Sequence, residues 1–466
     1  MNDQRGPRKK LTHRASGAKF SWARMKTTRR QFLLSSTAII AAAPAIVRGR
    51  NLNSKLQLAS IGSNGKGYSD IARMAGHAKA EHVAFCDVDL ARTAKALELR
   101  PDAEVFQDYR DMFESHSEQI DAVSVSTPDH MHAYIALDAM RRGKHVYCQK
   151  PLTHTVWEAR QMALQAVKSK VITRMGNQIH SHTVYRTAVE AIRSGKIGKV
   201  TRVHSWIGRA GHGYSGLISR PKGKFEIPDT LDWNLWLGVA PQRPYGGTRI
   251  YHPFGWRDWQ DFGGGALGDF GCHILDPVFS ALKIKGGPLD IMAEHTGMND
   301  EVWPAQATVN YLFPGTHLTE REKIRITWYN GGLRPADGSS HVPKGIALPD
   351  NGSLIIGEEG TVVLPHYKEA IVYPKEKYPQ GSIEIAENLN HYHGFVDGCL
   401  SGKQPSDGFD YAGPLTEAVQ LGNIAQRFPK KTLHWDYDSL RFTNHEAANQ
   451  FVSRKYRKGW GIKAVS

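Results

Sequence analysis

Cysteine is scarce in this chain, and its four residues, Cys86, Cys148, Cys272 and Cys399, form no C-x-x-C pair. That argues against a disulfide framework and against a zinc knuckle. Long apolar runs are missing as well. The one candidate, ending at Val47, is about sixteen residues interrupted by Pro44, short of the roughly twenty that a membrane span needs. Acidic residues are outnumbered, 45 Asp and Glu against 60 Lys and Arg, for a formal charge of +15. Yet residues 1–45 carry ten of those cations against the single Asp3, a net +9, which leaves only about +6 for the rest. With no basic run interleaved with aromatics, a nucleic-acid partner is not expected. No internal repeat or low-complexity tract is present.

The N-terminal excess has its own explanation. Thr27-Thr28-Arg29-Arg30-Gln31-Phe32-Leu33-Leu34 has the form of a twin-arginine export signal, followed by an apolar run with the small residues Ala41 to Ala45 suited to cleavage. Residues 1–50 are therefore expected to be signal and basic extension, and the mature protein to be periplasmic, with no membrane span. Met25 stands where such a signal starts, so residues 1–24 are either an over-long start or an unusual extension. A chain of 466 residues exceeds what one hydrophobic core usually supports, which implies two domains.

The remainder is organised around Leu56-Gln-Leu-Ala-Ser-Ile61-Gly62-Ser63-Asn64-Gly65-Lys66-Gly67. A short apolar strand, a glycine turn and then the helical spacing Ile71, Met74, Ala75 make a phosphate cradle, because the turn brings backbone N–H groups near a pyrophosphate and the helix start adds its positive end. Against G-x-G-x-x-G, Gly62 and Gly67 are the outer glycines, and Asn64 takes the middle place as a residue tolerant of the left-handed conformation. A second strand, Glu81 to Cys86, ends in Asp87, twenty residues after Gly67, where a carboxylate accepts from an adenosine ribose. Asp87 favours NAD over NADP. Two counter-readings stand: Asp89 capping a helix that begins near Leu90, and Arg92 receiving a 2′-phosphate.

Strands and helices then alternate: Ile120–Ser126, Met131–Met140, His145–Cys148, Val156–Val167 and Val171–Met175. That pattern implies right-handed crossovers and a doubly wound parallel sheet over residues 54–175. Residues 176–430 read as an α+β domain. Its helices are Thr183–Arg193 and one beyond Leu267, and its strands are Val200–Trp206, Ala307–Phe313, Lys323–Tyr329, Ser353–Ile356 and Thr361–Leu364, in an open, mostly antiparallel sheet. Between them Arg209 to Gly265 has little period, but seven aromatics from Trp233 to Trp259 argue for order. The helical stretch Leu415–Arg427 and a tail, residues 431–466, are expected to pack back on the rest.

Three further motifs line up with the glycine turn: Thr127-Pro128-Asp129-His130-Met131-His132, Gln149-Lys150-Pro151, and Gly263-Gly264-Gly265-Ala-Leu-Gly-Asp269-Phe-Gly-Cys-His273. In order and spacing, over about residues 54–430, the chain resembles the Gfo/Idh/MocA oxidoreductases, which include glucose–fructose oxidoreductase and inositol dehydrogenase. The resemblance implies a Rossmann domain that binds NAD or NADP and a homo-oligomer. It also implies that Lys150, Asp269 and His273 face the nicotinamide and a sugar. Oxidising a secondary alcohol needs a group to take the hydroxyl proton, and imidazole suits that near neutral pH. His273 is then the base, Asp269 a substrate-hydroxyl anchor or orienter sharing its helix face, and Lys150 the donor that polarises the reacting oxygen. The resemblance further places Thr127, Pro128, His132, Gln149 and Lys150 beside the cofactor, with Gly62, Asn64, Gly65, Gly67 and Asp87. Asn177, Gln178, His180, Arg209, His212, Trp256 and Arg257 are candidate substrate contacts, with loop packing as the alternative for each; His130 and His132 could instead cap their helix.

The chain departs from the family at Gln149, where a glutamate is usual. Loss of that charge is expected to lower the titration of Lys150. Asp269 with His273 could also be a surface pair or two ligands of a metal, but no third ligand stands at a diagnostic spacing, so no metal is expected. Three functions compete: an exported oxidoreductase on a sugar, polyol or glycoside; an NAD-dependent glycosidase or lyase with transient oxidation; and a non-catalytic sugar-binding relic. An exported enzyme lacks a diffusible nicotinamide pool. A tightly held cofactor is therefore expected, with Arg209–Gly265 or a partner subunit as its lid.

Overall fold

The computed structural model describes residues 55–335, 341–379 and 381–465. The twin-arginine stretch lies outside the described residues. In chain order the elements are β1 (Leu56–Ile61), α1 (Lys66–Ala75), β2 (Ala80–Cys86), α2 (Ala94–Leu99), β3 (Glu104–Phe106), α3 (Tyr109–His116), β4 (Ala122–Val125), α4 (Asp129–Arg141), β5 (His145–Gln149), α5 (Val156–Ser169) and β6 (Thr173–Gly176). There follow α6 (Thr183–Arg193), β7 (Val200–Ile207), α7 (Trp233–Leu237), α8 (Gly265–Leu282), β8 (Asp290–His295), β9 (Ala307–Pro314), β10 (Lys323–Asn330), β11 (Gly352–Gly357), β12 (Thr361–Pro365) and β13 (Ile371–Tyr373). The chain closes with α9 (His391–Ser401), α10 (Phe409–Gln426), β14 (Leu433–Asp436), β15 (Arg441–Phe442) and α11 (Glu446–Asn449).

The first six strands form a parallel sheet in the order β3-β2-β1-β4-β5-β6, with the order reversing between β1 and β4. That reversal opens a crevice at the carboxyl ends of β1 and β4, the place where open α/β sheets bind ligands. β4 is buried along its whole length because helices cover both faces, and its one polar side chain, Ser124, donates to the Ser60 hydroxyl of β1 at 2.8 Å. Helix α5 starts at a capping box, Thr155 accepting from Glu158 N–H at 3.2 Å and Glu158 accepting from Thr155 N–H at 3.0 Å.

The second sheet has nine strands in the order β13-β12-β11-β7-β10-β9-β8-β14-β15. It is antiparallel except where β7 runs parallel to β10. Strand β9 shows the alternation of a one-sided sheet, with Ala307, Val309, Tyr311 and Phe313 inward. Helix α8, almost wholly buried, packs on α6 and α10 and joins this sheet to the first through one continuous core.

The stretch between β7 and α8 is irregular yet ordered. Trp233, Trp236, Tyr251, Trp259 and Phe262 make a separate aromatic core with Arg243 inserted among the rings, its Cζ 5.0 Å from the Phe262 centroid. Asp89 does not cap the helical turn after it, contrary to one sequence reading; it accepts from Thr230 at 2.7 Å and pairs with His252 at 3.0 Å, tying this stretch to the first sheet. The stretch expected to serve as a lid thus has an aromatic core of its own and is tied to the end of β2 through Asp89. Among the described residues no helix is long and apolar enough to cross a membrane.

Candidate active site

At the end of β1 the backbone turns through Gly62, with φ of +87°, and Gly65, with φ of +58°. A Cβ on Gly62 would stand 2.6 Å from the Ser126 carbonyl oxygen, and one on Gly67 only 1.9 Å from that of Gly62. Only glycine lets the turn lie against β4 and under the start of α1. The left-handed positions fall on the glycines and not on Asn64, which instead accepts from Gly65 N–H at 2.6 Å. Asp87, at the end of β2, accepts from Ser63 N–H at 2.9 Å and Asp89 N–H at 3.1 Å. Burial raises its carboxyl titration against those hydrogen bonds.

The second cluster forms where β5 meets α8. Lys150, whose peptide to Pro151 is cis, donates to the Asp269 carboxylate at 2.6 Å and to the Asp269 carbonyl at 2.5 Å. The other carboxylate oxygen of Asp269 accepts from the Tyr214 hydroxyl, and Arg257 Nε lies 3.5 Å from the first. Burial alone would raise Asp269, but Lys150 and Arg257 outweigh it and hold the carboxyl ionised. Each Asp269 oxygen thus has a partner inside the protein, Lys150 on one and Tyr214 on the other, and the carboxylate fixes the position of Lys150.

One turn on, His273 Nδ1 meets Asn177 Oδ1, while Asn177 Nδ2 donates to the Cys272 carbonyl at 3.1 Å. The second bond orients the amide, so its oxygen faces the ring and His273 carries its proton on Nδ1. Nε2 is left with a lone pair. Burial, with Lys150 and His366 nearby, depresses the imidazole well below its ordinary range, so the ring is a neutral base. Asp129 lies near Arg257 and Lys150, and burial with the like charge of Asp269 lifts it to about 8 despite those cations.

Both clusters open on one cavity of about 520 Å³, reached by Gly62, Asp87, Thr127, Lys150 and His273 alike. Its volume falls in the range of cofactor sites. The glycine cradle, the Asp87 carboxylate and the reversal of strand order match what a nicotinamide dinucleotide requires, so the residues present fit that group.

Of the sequence candidates, Asn64, Gly65, Pro128, Gln149, Gln178, Trp256 and Arg257 also line this cavity. Gly67 serves beneath the turn. His132 lines the cavity but is 1% exposed, its two nitrogens 2.9 Å from the Pro151 carbonyl and 2.8 Å from that of Thr127. Burial depresses it to about 4, and the neutral ring, with a single N–H, donates to one of these two carbonyls; neither it nor His130, 3.1 Å from the Trp236 carbonyl, caps a helix.

Four candidates lie elsewhere. Asn177 stands outside the cavity wall and supports His273. His180 faces a second cavity of about 370 Å³ and pairs with Asp276 at 2.9 Å. His212 is held 2.9 Å from the Trp303 carbonyl, and Arg209 lies on the surface over Tyr214. Sequence reasoning missed Tyr214, His252 and Trp460, and gave Asp129 no role. Trp460 belongs to the C-terminal tail, lines the cavity near Tyr109, and stacks under Arg110 at 4.6 Å. Nothing in the sequence around Tyr214 or Trp460 marks them, since only the fold brings them to the site.

The comparisons with known proteins agree with this architecture. Residues 56–177 match the Gfo/Idh/MocA model described as "Oxidoreductase family, NAD-binding Rossmann fold", and residues 212–311 match its "C-terminal alpha/beta domain". In both stretches the chain is similar to the Gfo/Idh/MocA oxidoreductases. A levoglucosan dehydrogenase of Pseudarthrobacter phenanthrenivorans is 30% identical over 158 residues, 34% of this chain and 32% of that protein. An alpha-N-acetylgalactosaminidase of Shewanella oneidensis is 27% identical over 284 residues, 59% of this chain and 53% of that protein. The first curated relatives are matched over 24 to 35% of their own length. Among solved structures, a WlbA dehydrogenase from Chromobacterium violaceum, in complex with NADH and UDP-GlcNAcA, superposes with a TM-score of 0.59 at 17% identity, covering 83% of this chain and 98% of that one.

The departure from the Gfo/Idh/MocA pattern at Gln149 has a physical reason. Gln149 donates at 2.8 Å to Asp70, a wholly buried carboxylate that Ser126 and Lys66 also contact. A glutamate there would set two buried carboxylates face to face. Nor does Lys150 lack a negative partner, as the sequence suggested: Asp269, 119 residues away, supplies it.

Proposed function

We propose that this chain is an exported NAD(P)-dependent oxidoreductase that oxidises a secondary alcohol of a sugar, polyol or glycoside. The observation that carries the reading is the convergence of Lys150 and the bare Nε2 of His273 on the cavity that also holds the glycine cradle. When bound, the dinucleotide accepts hydride from the substrate carbon and can return it. His273 Nε2 takes the hydroxyl proton, and Asn177 steadies the charged ring through Nδ1. Lys150, held by Asp269, whose other carboxylate oxygen accepts from Tyr214, donates to the reacting oxygen as it becomes a carbonyl.

The test is a panel of sugars, polyols and glycosides with the mature protein and NAD, followed at 340 nm. NADH formation that is lost in His273→Ala supports the reading; no redox change with any member overturns it. Asp87→Ala is expected to weaken NAD more than NADP, and equal loss of both would make Asp87 a structural cap of the turn.

The second reading, an NAD-dependent glycosidase or lyase, is favoured by one observation. The match to the alpha-N-acetylgalactosaminidase covers 59% of the chain, against 34% for the levoglucosan dehydrogenase. Aglycone release from nitrophenyl glycosides without net NADH would select it. Both readings suit a tightly held cofactor, a homo-oligomer and folded export through Arg29-Arg30. Changing both arginines to Lys should trap the protein in the cytoplasm, and unchanged export would overturn that route. Light scattering of the mature protein tests the oligomer.

A further inference from the structure

A third cavity, of about 280 Å³, opens between the end of α10, the turn that leads into α5 and the C-terminal tail. It shares no lining residue with the cofactor cavity. Arg427, directly after α10, lines it with its guanidinium set between two rings, Cζ 4.3 Å from the Phe451 centroid and 5.2 Å from that of Trp303. Rings take the faces of a guanidinium and leave its N–H edge for a partner in the plane. Among the described residues that edge has neither a hydrogen-bond acceptor nor a paired carboxylate. The carbonyl end of α10 favours a cation here, but none of its oxygens accepts from this side chain.

The other charges of the cavity do not fill the gap. Asp261 is held by Arg243 at 2.5 Å, and Asp300 is exposed and acts on Arg427 only from beyond ion-pair distance. Arg454 gives its Nη groups to neutral acceptors, His154 Nδ1 at 3.3 Å and the Asp261 carbonyl at 3.0 Å, while its Nε is buried without a partner. Glu158, whose charge Arg454 favours, lies outside the cavity wall and gives its oxygens to the Thr155 N–H and the Tyr456 hydroxyl. Arg427, Arg454 and the exposed Lys455 thus face a single uncommitted carboxylate, Asp300. Burial lowers Arg427 to about 10 against the pull of Asp261 and Asp300, so it is still a cation at neutral pH. The cavity also lies behind both catalytic segments. Trp303 Nε1 and His154 Nε2 meet the Gly263 carbonyl at 2.7 and 3.3 Å, just before α8, and His154 follows closely on Lys150.

We infer that this cavity is a second ligand site, separate from the active site, which receives a small oxyanion, a carboxylate or a phosphate, on the N–H edge of Arg427. A planar fork of donors matches the paired oxygens of either group, and the volume suits a ligand of a few carbons rather than a nucleotide. The anion is bound and not transformed. Such a site does not depend on the reaction proposed above.

The experiment is calorimetry on the NAD-loaded protein, with inorganic phosphate and malonate as probes and chloride at matched ionic strength as the control, so that the phosphate cradle is filled and general screening is subtracted. At least one probe is expected to bind more tightly than chloride, and Arg427→Met to weaken it about tenfold or more with NAD affinity unchanged. Tighter binding of phosphate assigns a phosphorylated ligand, and tighter binding of malonate a carboxylate. Where Arg427→Met does not fold, Lys455→Glu, at an exposed residue of the same cavity, takes its place, with a weakening of about threefold or more expected. Binding of neither probe beyond chloride, or probe affinity unchanged in the variant that folds, overturns the inference and leaves the active site as described.

Discussion

Gln149 and Asp70 form a buried pair, the carboxamide donating to the carboxylate at 2.8 Å, and it connects the residue before Lys150 to the first helix of the phosphate cradle. Burial raises the Asp70 carboxyl, with Lys66, Ser126 and Gln149 each opposing that shift. Gln149→Glu replaces a donor by a second carboxylate. The variant is expected to lose about 2 kcal/mol or more at pH 8. Acids raised in the folded state bind protons more tightly there, so the deficit should shrink as pH falls. Urea melts at pH 8 and pH 5 check this, and a deficit independent of pH would contradict it.

Asn177 sets the tautomer of His273. Because the imidazole is depressed well below 6.5, the acid limb of kcat is expected below pH 6.5 in the wild type. Asn177→Asp places a charge on Nδ1 and should move that limb upward by about one unit or more, with activity at pH 8 largely kept. A pH–rate profile decides it, since a purely structural residue would lower kcat equally at every pH.

His180 contributes to stability instead of chemistry. Burial would lower it, but Asp276 and Asp407 raise it to about 9. A raised histidine gives stability that is full below about pH 6.5 and lost as pH climbs through about 9, on the order of 2–3 kcal/mol. Denaturant melts across that window should show the decline, and His180→Gln should flatten it.

Much of this architecture was legible because it is local. Apolar strands, the glycine turn and the alternation with helices follow from a few neighbouring residues, and most bounds in the structure lie within a residue or two of those expected; Thr183–Arg193 is unchanged, whereas the helix expected from Leu415 begins at Phe409. What was not legible depends on distance along the chain. The partners of Lys150 and of His273 are 119 and 96 residues away, and nothing in their own surroundings names them. His180, Arg209 and His212 stand close in sequence to site residues, but the chain turns at each and sends the side chain to another wall. Gly65 took the strain expected of Asn64 because a residue without Cβ adopts positive φ at less cost.

Trp460 reaches the cavity from a tail held by Arg457, whose Nε donates to the Gly238 carbonyl at 2.7 Å, and by Val465 N–H on Gln161 at 2.7 Å. Trp460→Ala is expected to weaken NAD binding about tenfold with kcat nearly unchanged, since the ring packs against Tyr134, Arg110 and Arg457 and not against Lys150 or His273. Titration of NAD by tryptophan fluorescence and by calorimetry checks both points.

The central claim is that Lys150 and His273 act on a substrate beside a dinucleotide held in the glycine cradle. It is tested most directly by measuring NAD binding and single-turnover rate together in wild type, Lys150→Ala and His273→Ala. The expected result is NAD affinity within a fewfold of wild type in both variants and a rate lowered by about 10² or more. Loss of NAD binding in either variant, or wild-type turnover in both, would contradict the account.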